Sequence, residues 1–231
     1  FLNALAGKED PEEKRRIIGN LFIKVFWDSV GNAEMLAQGT LYPDVIESAS
    51  NAKSKASVIK THHNRVPKIL ELQEQGKVLE PLAELFKDEV RELGAALGIA
   101  SDILGRHPFP GPGLAVRCPG EVDRQRPNII RECDAIFIGK LKQHGWYDRV
   151  WQAYAGLIPV KTVGVKGDER SYEWATNLRA VISEDAMTAE WVDLPAQLLR
   201  ETSQDILNEV SGINRVLYDI STKPPASIEW E

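Results

Sequence analysis

The sequence predicts an α/β protein in two parts, a parallel-sheet part followed by a smaller α+β part. Apolar residues make up 43% and charged residues 27% of the 231 residues, which is typical of a folded globular chain and excludes a disordered or collagen-like one. Up to about residue 110, strand-like runs alternate with helical patterns, as in parallel α/β sheets. After it, the order helix, strand, strand, helix, strand predicts a small antiparallel or mixed sheet covered by helices.

The elements of the first part follow from apolar periodicity and from residues suited to helix ends. Asp10 is a suitable N-cap for the first helix, and Gly98 is placed to end the last one. The predicted elements are a helix at 11–27, short strands at 35–38 and 58–59, and a helix at 82–97.

A stretch rich in proline and glycine separates the two parts. Residues 106–113 contain three prolines and two glycines, which excludes a helix or a central strand and predicts a stiff linker, a backbone cradle, or both. Beyond it we expect a hairpin connection at 164–168. The predicted elements there are a helix at 127–143, strands at 157–163 and 172–182, a helix at 195–210 and a strand at 215–220.

Charge and cysteine content narrow the classes of function. Acidic residues outnumber basic ones by 34 to 28, for a net charge of −6, which argues against a nucleic-acid backbone as the main partner. No apolar run approaches the length of a membrane span, and no charged-then-apolar leader is present. Cys118 and Cys133 are too few for a disulfide framework or a four-ligand zinc site. We expect a reduced, cytoplasmic protein and, because the chain opens with Phe1, a portion of a longer one.

Two carboxylates follow the strand predicted at 35–38. If Pro43 opens a helix, Asp44 and Glu47 lie on one face at its N-terminus. Two hard oxygen ligands there could hold a magnesium ion with its phosphates. A helix cap with acids that favour the helix dipole explains the same pattern, so both interpretations stay open.

A polar cluster follows the strand predicted at 58–59. Lys60, His62, His63 and Asn64 lie within five residues. Zinc is disfavoured, because adjacent histidines on a strand point to opposite faces and no third ligand has suitable spacing. A phosphate-handling loop fits the cation and the donors, and a plain polar loop is the alternative.

Three further segments suggest binding. Residues 14–16 crowd cations into the first turn of a helix, either as a solvated face or as an anion site. The glycines of 108–113 let backbone N–H groups approach a planar or anionic ligand. In residues 221–231, Lys223 and Glu229 flank a rigid Pro-Pro step, which predicts a tail that docks instead of fraying.

Taken together and in order, six segments closely resemble GMP synthetase, the glutamine-hydrolysing enzyme family of guanine nucleotide synthesis. The segments are residues 42–48, 59–64, 84–91, 106–114, 163–168 and 223–231.

The resemblance implies a fold and an activity. Residues 1–110 would be the later part of an ATP pyrophosphatase domain with an adenine nucleotide α-hydrolase-like fold, and residues 111–231 a dimerisation domain that makes a homodimer. The family aminates XMP to GMP through an adenyl-XMP intermediate, using ATP and Mg²⁺. The ammonia comes from glutamine in an amidotransferase domain or subunit, and neither nucleic acid nor membrane is a partner.

The resemblance also implies residue roles, by matching motif positions. Asp44 and Glu47 would serve the ATP–magnesium chemistry, and Lys60 with its neighbours would belong to a mobile lid over the reacting phosphates. The implied catalytic residues are Asp44, Glu47, Lys60, His62, His63, Asn64, Lys87 and Asp88. The implied XMP-binding residues are Arg15, Gly111, Gly113, Gln152, Asp168, Arg170, Lys223 and Glu229.

The sequence departs from the family pattern in ways that keep alternatives open. It contains neither the pyrophosphate loop Ser-Gly-Gly-Val-Asp-Ser nor the amidotransferase Cys-His-Glu triad, and residues 65–67 replace a Gly-Gly turn after Asn64. An inert dimerisation module is therefore one alternative. A KH-type nucleic-acid module is another, since residues 164–167 spell its GxxG loop, although here that loop is predicted to join two strands.

Overall fold

The computed structural model describes residues 1–30, 33–46, 72–184 and 186–231. They form two compact units, one of residues 1–17 with 107–231 and one of residues 18–106. The strand predicted at 58–59 lies outside the described residues, as do Glu47, Lys60, His62, His63 and Asn64.

The first 106 residues contain helices and a short parallel sheet. The elements are α1 (Leu2–Leu5), α2 (Pro11–Val30), β1 (Leu36–Ala37), β2 (Val78–Leu79), α3 (Lys87–Ala96) and α4 (Ser101–Leu104). Strands β1 and β2 pair in parallel, as expected of a parallel α/β sheet, with β2 in place of the strand predicted at 58–59 as the described partner of β1. Strand β2 was not expected from the sequence.

The helix predicted to begin at residue 82 begins instead at Lys87. Residues 81–84 are a turn. The Glu89 carboxylate accepts a hydrogen bond from the Phe86 amide at 2.7 Å, which caps the helix there. Glu80, two residues before the predicted start, accepts a hydrogen bond from the Thr40 hydroxyl at 2.5 Å. The predicted end is confirmed, since Gly98 follows with φ +80°.

The unit containing residues 107–231 has the predicted order of helix, strand, strand, helix, strand, with one short strand added. The elements are α5 (Arg126–Gln143), β3 (Gln152–Lys166), β4 (Glu169–Ile182), β5 (Glu190–Trp191), α6 (Ala196–Glu209) and β6 (Ile213–Tyr218). A 3₁₀ helix, Gly113–Arg117, precedes them.

Strand β4 is central in a mixed sheet. It pairs antiparallel with β3 along nearly its whole length. Its other edge pairs in parallel with β6 and, further along, antiparallel with β5. The turn between β3 and β4 is Gly167-Asp168, so the GxxG segment lies at the end of a strand and in a hairpin turn.

The two faces of this sheet differ in chemistry. Helices α5 and α6 bury apolar side chains such as Phe137 and Leu198. The opposite face carries Gln152, Tyr154 and Arg179, which share that face because Tyr154 is the cross-strand partner of Arg179 and Gln152 is two residues from Tyr154. All three are buried. The C-terminal tail covers this polar face.

Among the helices in the described ranges, none has the length and apolar content needed to cross a membrane.

Candidate ligand-binding site

The C-terminal tail docks on the polar face of the sheet, as the sequence predicts. The Tyr154 hydroxyl donates to the Ile228 carbonyl at 2.8 Å. Arg179 donates to the carbonyls of Ile228, Ser227 and Ser221 at 2.9 to 3.0 Å. These bonds use three N–H donors of a fully buried guanidinium, whose Nη1 also pairs with Asp219 at 2.9 Å, so the tail has a fixed path.

The Glu229 carboxylate is the centre of the docked tail. Arg117 binds it in two places, with Nε 3.1 Å from Oε2 and Nη2 3.0 Å from Oε1. Gln152 donates its Nε2 to Oε1 at 2.6 Å. Two of the implied XMP-binding residues, Gln152 and Glu229, are therefore in direct contact within one chain.

The proline- and glycine-rich segment meets this cluster. The Phe109 ring lies 4.8 Å from the Arg117 guanidinium carbon, and the Tyr154 ring lies 4.4 Å from it. Gly113 has φ +67°, a conformation that favours glycine, and it begins the 3₁₀ helix that ends at Arg117. Gly111 is exposed in the same segment.

The cations of residues 14–16 have different partners. Lys14 is fully buried and donates to the Glu231 carboxylate and, at 3.0 Å, to the Cys118 carbonyl. The Gly120 amide donates to the other Glu231 oxygen at 3.0 Å. Arg15 pairs with Glu12 on the helix surface. The anion site suggested by these cations thus exists for Lys14, and its anion is the side chain of the final residue.

Lys223 lies at the start of the tail and contacts its own chain. Its ammonium donates to the Ala186 carbonyl at 2.7 Å. Its backbone pairs with Ala189, with N–O distances of 2.8 and 3.0 Å in the two directions.

Asp168 and Arg170 lie at the far end of the β3–β4 hairpin. Asp168 is in the turn, and Arg170 pairs with Val165, which is thirteen residues along β3 from Gln152. At ~3.3 Å per residue, about 40 Å of strand separates these two residues from the Glu229 cluster. The structure therefore does not bring the whole implied XMP set together in one chain.

The implied ATP residues that the structure describes lie in the unit of residues 18–106. Asp44 accepts the Leu41 amide at 2.9 Å, a capping contact at the start of helical residues 42–46. Lys87 and Asp88 occupy the first turn of α3. Burial, and then the charge of Arg91, lower the pKa of Lys87.

Sequence reasoning missed three residues that hold the tail. Arg117, Arg179 and Tyr154 were not among the candidates, although each contacts residues 227–229. A signal was available for Arg117, which lies four residues after the end of the proline- and glycine-rich segment. Arg179 lies in the strand predicted at 172–182, and Tyr154 lies before the strand predicted at 157–163; only the fold shows that both face the tail.

Both cysteines are packed. They are fully buried free thiols, and burial raises the pKa of Cys118 and of Cys133 to about 12. Burial of both side chains favours the protonated thiol, which is a poor nucleophile.

Residues 139–230 match the family model described as GMP synthase C terminal domain. Over its whole length the chain is 54% identical to "GMP synthase [glutamine-hydrolyzing]" of Dinoroseobacter shibae, 55% identical to that of a Ruegeria species and 56% identical to that of Flavobacterium psychrophilum. Each alignment covers 100% of this chain and 45% of the relative, so the chain spans under half the length of these relatives. These matches confirm the resemblance to GMP synthetase that the six segments indicate.

Proposed function

We propose that this chain, which matches GMP synthases along its entire length, forms the XMP-binding and dimer-forming part of such a ligase. In the reaction, the C2 oxygen of XMP attacks the α-phosphorus of ATP and releases pyrophosphate. Ammonia then adds at C2, and AMP leaves with the C2 oxygen, giving GMP. The ammonia is supplied by glutamine hydrolysis in an amidotransferase domain or subunit.

The observation that carries this proposal is the Glu229 carboxylate held by Arg117 and Gln152 beside the proline- and glycine-rich segment. A fixed carboxylate accepts hydrogen bonds from ring N–H groups or ribose hydroxyls. The nearby glycines allow close backbone approach to a planar ring. Lys223 and Arg15 would supply cations for the single phosphate.

For the ATP half-reaction we assign Asp44 and Glu47 as carboxylates for magnesium. Asp44 uses one oxygen for the Leu41 amide, and a carboxylate has further lone pairs for a hard cation. Magnesium would neutralise charge on the departing pyrophosphate. The residues assigned to the lid and its neighbourhood are Lys60, His62, His63, Asn64, Lys87 and Asp88.

We assign residues 1–110 to an ATP pyrophosphatase domain of the adenine nucleotide α-hydrolase-like kind, and residues 111–231 to the dimerisation domain. A lid over the reacting phosphates would exclude water, which otherwise hydrolyses the adenylate.

A homodimer accounts for the residues at the hairpin tip. Beyond its pairing with β6, the hairpin is a two-stranded arm with Val163 and Tyr172 facing the same side, 60% and 66% exposed. Exposed apolar surface of this kind marks a contact site. If Asp168 and Arg170 touch XMP, they do so in a second copy, because about 40 Å of strand separates them from the cluster of their own chain.

Calorimetric titration of XMP into the chain tests the proposal. We expect the native chain to bind XMP and Glu229→Gln to bind roughly tenfold more weakly or worse, because a charged acceptor is lost. Glu201→Gln is the matched control and should bind XMP normally, since Glu201 lies on α6 and contacts His144. A native chain that gives no heat with XMP would support the inert dimerisation module instead.

A further inference from the structure

We infer that Arg117 is a positioning residue for substrate recognition, which fixes the Glu229 carboxylate so that its remaining acceptor position meets a donor of the purine nucleotide. This inference rests on the proposed function, because it concerns how Glu229 presents itself to XMP. It assigns to Arg117 a role through Glu229 and no contact with the substrate.

Three hydrogen bonds leave Glu229 with one acceptor position. An ionised carboxylate has about four lone-pair sites. Oε1 accepts Arg117 Nη2 and Gln152 Nε2, whereas Oε2 accepts Arg117 Nε alone among the described residues. The Glu229 side chain is 16% exposed, so the position left on Oε2 is the one a ligand donor would use.

The surroundings of Arg117 hold its guanidinium in one plane. Phe109 and Tyr154 contact it at 4.8 and 4.4 Å from ring centroid to guanidinium carbon. Its Nη1 lies 3.7 Å from Asp134, whose Oδ1 accepts the Ala155 amide at 2.8 Å. The guanidinium, 2% exposed, therefore has little freedom to rotate, and the plane of the bidentate carboxylate follows that of the guanidinium.

Only arginine can do this at position 117. A lysine would supply the charge but not two parallel N–H donors in a rigid plane, and it would leave the carboxylate free to turn. The inference thus predicts that charge alone is insufficient. It also links the tail to the proline- and glycine-rich segment, since the Arg117 side chain contacts both Glu229 and Phe109.

The test is a double-mutant cycle in XMP binding, measured by calorimetry on Arg117→Gln, Glu229→Gln and the double variant. We expect each single variant to bind XMP roughly tenfold more weakly, and the double variant to bind no more weakly than Glu229→Gln alone. Arg117→Lys should keep the thermal stability closer to native than Arg117→Gln does, yet fail to restore XMP affinity. Arg126→Gln is the control, because Arg126 also faces a ring, Trp174, and a carboxylate, Asp123.

The outcomes separate the role of Arg117 from the proposed binding of XMP. Independent, additive losses, native affinity in Arg117→Gln, or full affinity in Arg117→Lys would each overturn the role of Arg117 while leaving XMP binding by the native chain intact. Absence of XMP binding by the native chain would instead overturn the proposed function, and the inference with it. If Arg117→Gln does not fold, Arg117→Lys decides, since a folded Arg117→Lys of native affinity contradicts the inference and a folded one of reduced affinity supports it.

Discussion

Buried positive charge is the residue-scale feature that fixes the tail. Lys14, Arg117 and Arg179 are 0%, 2% and 0% exposed, and each donates to residues of the tail. A charge of this kind is costly to bury unless ion pairs and hydrogen bonds satisfy it. Undocking the tail would remove the Glu231, Glu229 and backbone carbonyl acceptors from three buried charges, which stabilises the docked arrangement.

The Arg179–Asp219 pair predicts a pH-dependent contribution to stability. The two side chains are 2.9 Å apart, and Trp230 donates to Asp219 at 3.0 Å. Burial alone would raise the pKa of Asp219, but hydrogen bonds from Ser221 and Trp230 and the charge of Arg179 together lower it. Because the native pKa lies below that of the unfolded chain, the stabilisation is present above the unfolded value and is lost as the pH falls through the native one.

We therefore expect Asp219→Asn to lower the free energy of unfolding by about 1 to 2 kcal/mol near neutral pH, and by less near pH 3. Urea unfolding at the two pH values measures this. Asp205→Asn, which removes a partly exposed partner of Lys140, is the control and should cost less than about 1 kcal/mol. An Asp219→Asn effect of equal size at both pH values would contradict the account.

The sequence alone could not show which cation of residues 14–16 is buried and binds an anion. The cationic run at 14–16 was compatible with a solvated face or an anion site, and the structure makes Lys14 buried while Arg15 and Arg16 pair with glutamates on the helix surface. The three side chains have nearly equal chemistry. Only the position of the tail, more than two hundred residues along the chain, distinguishes them.

At the scale of elements, the β3–β4 hairpin is the feature that extends furthest beyond its prediction. Strands were expected at 157–163 and 172–182 and run instead over Gln152–Lys166 and Glu169–Ile182. At one end the extra residues, 152–156, are buried, but small and polar residues among them hid the strand in the sequence. At the other end, ladder pairing continues into the exposed arm, where backbone hydrogen bonding does not require buried side chains. The polar ends of β3 carry the residues of interest, Gln152 at one end and the turn with Asp168 at the other.

The exposed arm predicts an effect on assembly. Tyr172→Asp places a charge on the apolar side of the arm, and we expect it to weaken self-association by at least tenfold, because a buried unpaired charge opposes contact. Sedimentation equilibrium over a range of concentrations measures the association. Leu97→Asp, at another exposed apolar position, is the control; equal association constants for the native chain and Tyr172→Asp would rule out the arm as the contact surface.

The helix boundaries show which sequence signals are enough to predict where a helix begins and ends. Helices α5 and α6 were predicted within one residue at each end, because long apolar periods and following glycines mark them. Helix α3 was predicted five residues too early, because Glu80 and Pro81 resemble a helix start in sequence while Glu80 binds Thr40 in the fold. Competing local caps are resolved only by tertiary contacts.

At the scale of the whole molecule, the residues implied to bind XMP and those implied to serve ATP chemistry lie in different compact units. All the implied XMP-binding residues lie in the unit of 1–17 with 107–231, and the described ATP residues lie in that of 18–106. The sequence suggested a boundary near residue 110 but gave no sign that the first seventeen residues pack with the later unit. That grouping depends on contacts such as Lys14 with Glu231, which are separated by almost the full chain.

Amide hydrogen exchange with and without saturating XMP tests most directly the claim that the tail and the proline- and glycine-rich segment bind one nucleotide. We expect XMP to slow exchange at residues 109–118 and 227–231 together, while α6, on the other face of the sheet, keeps its rates. Unchanged exchange in both segments at saturating XMP, or slowing confined to residues elsewhere, would contradict the account.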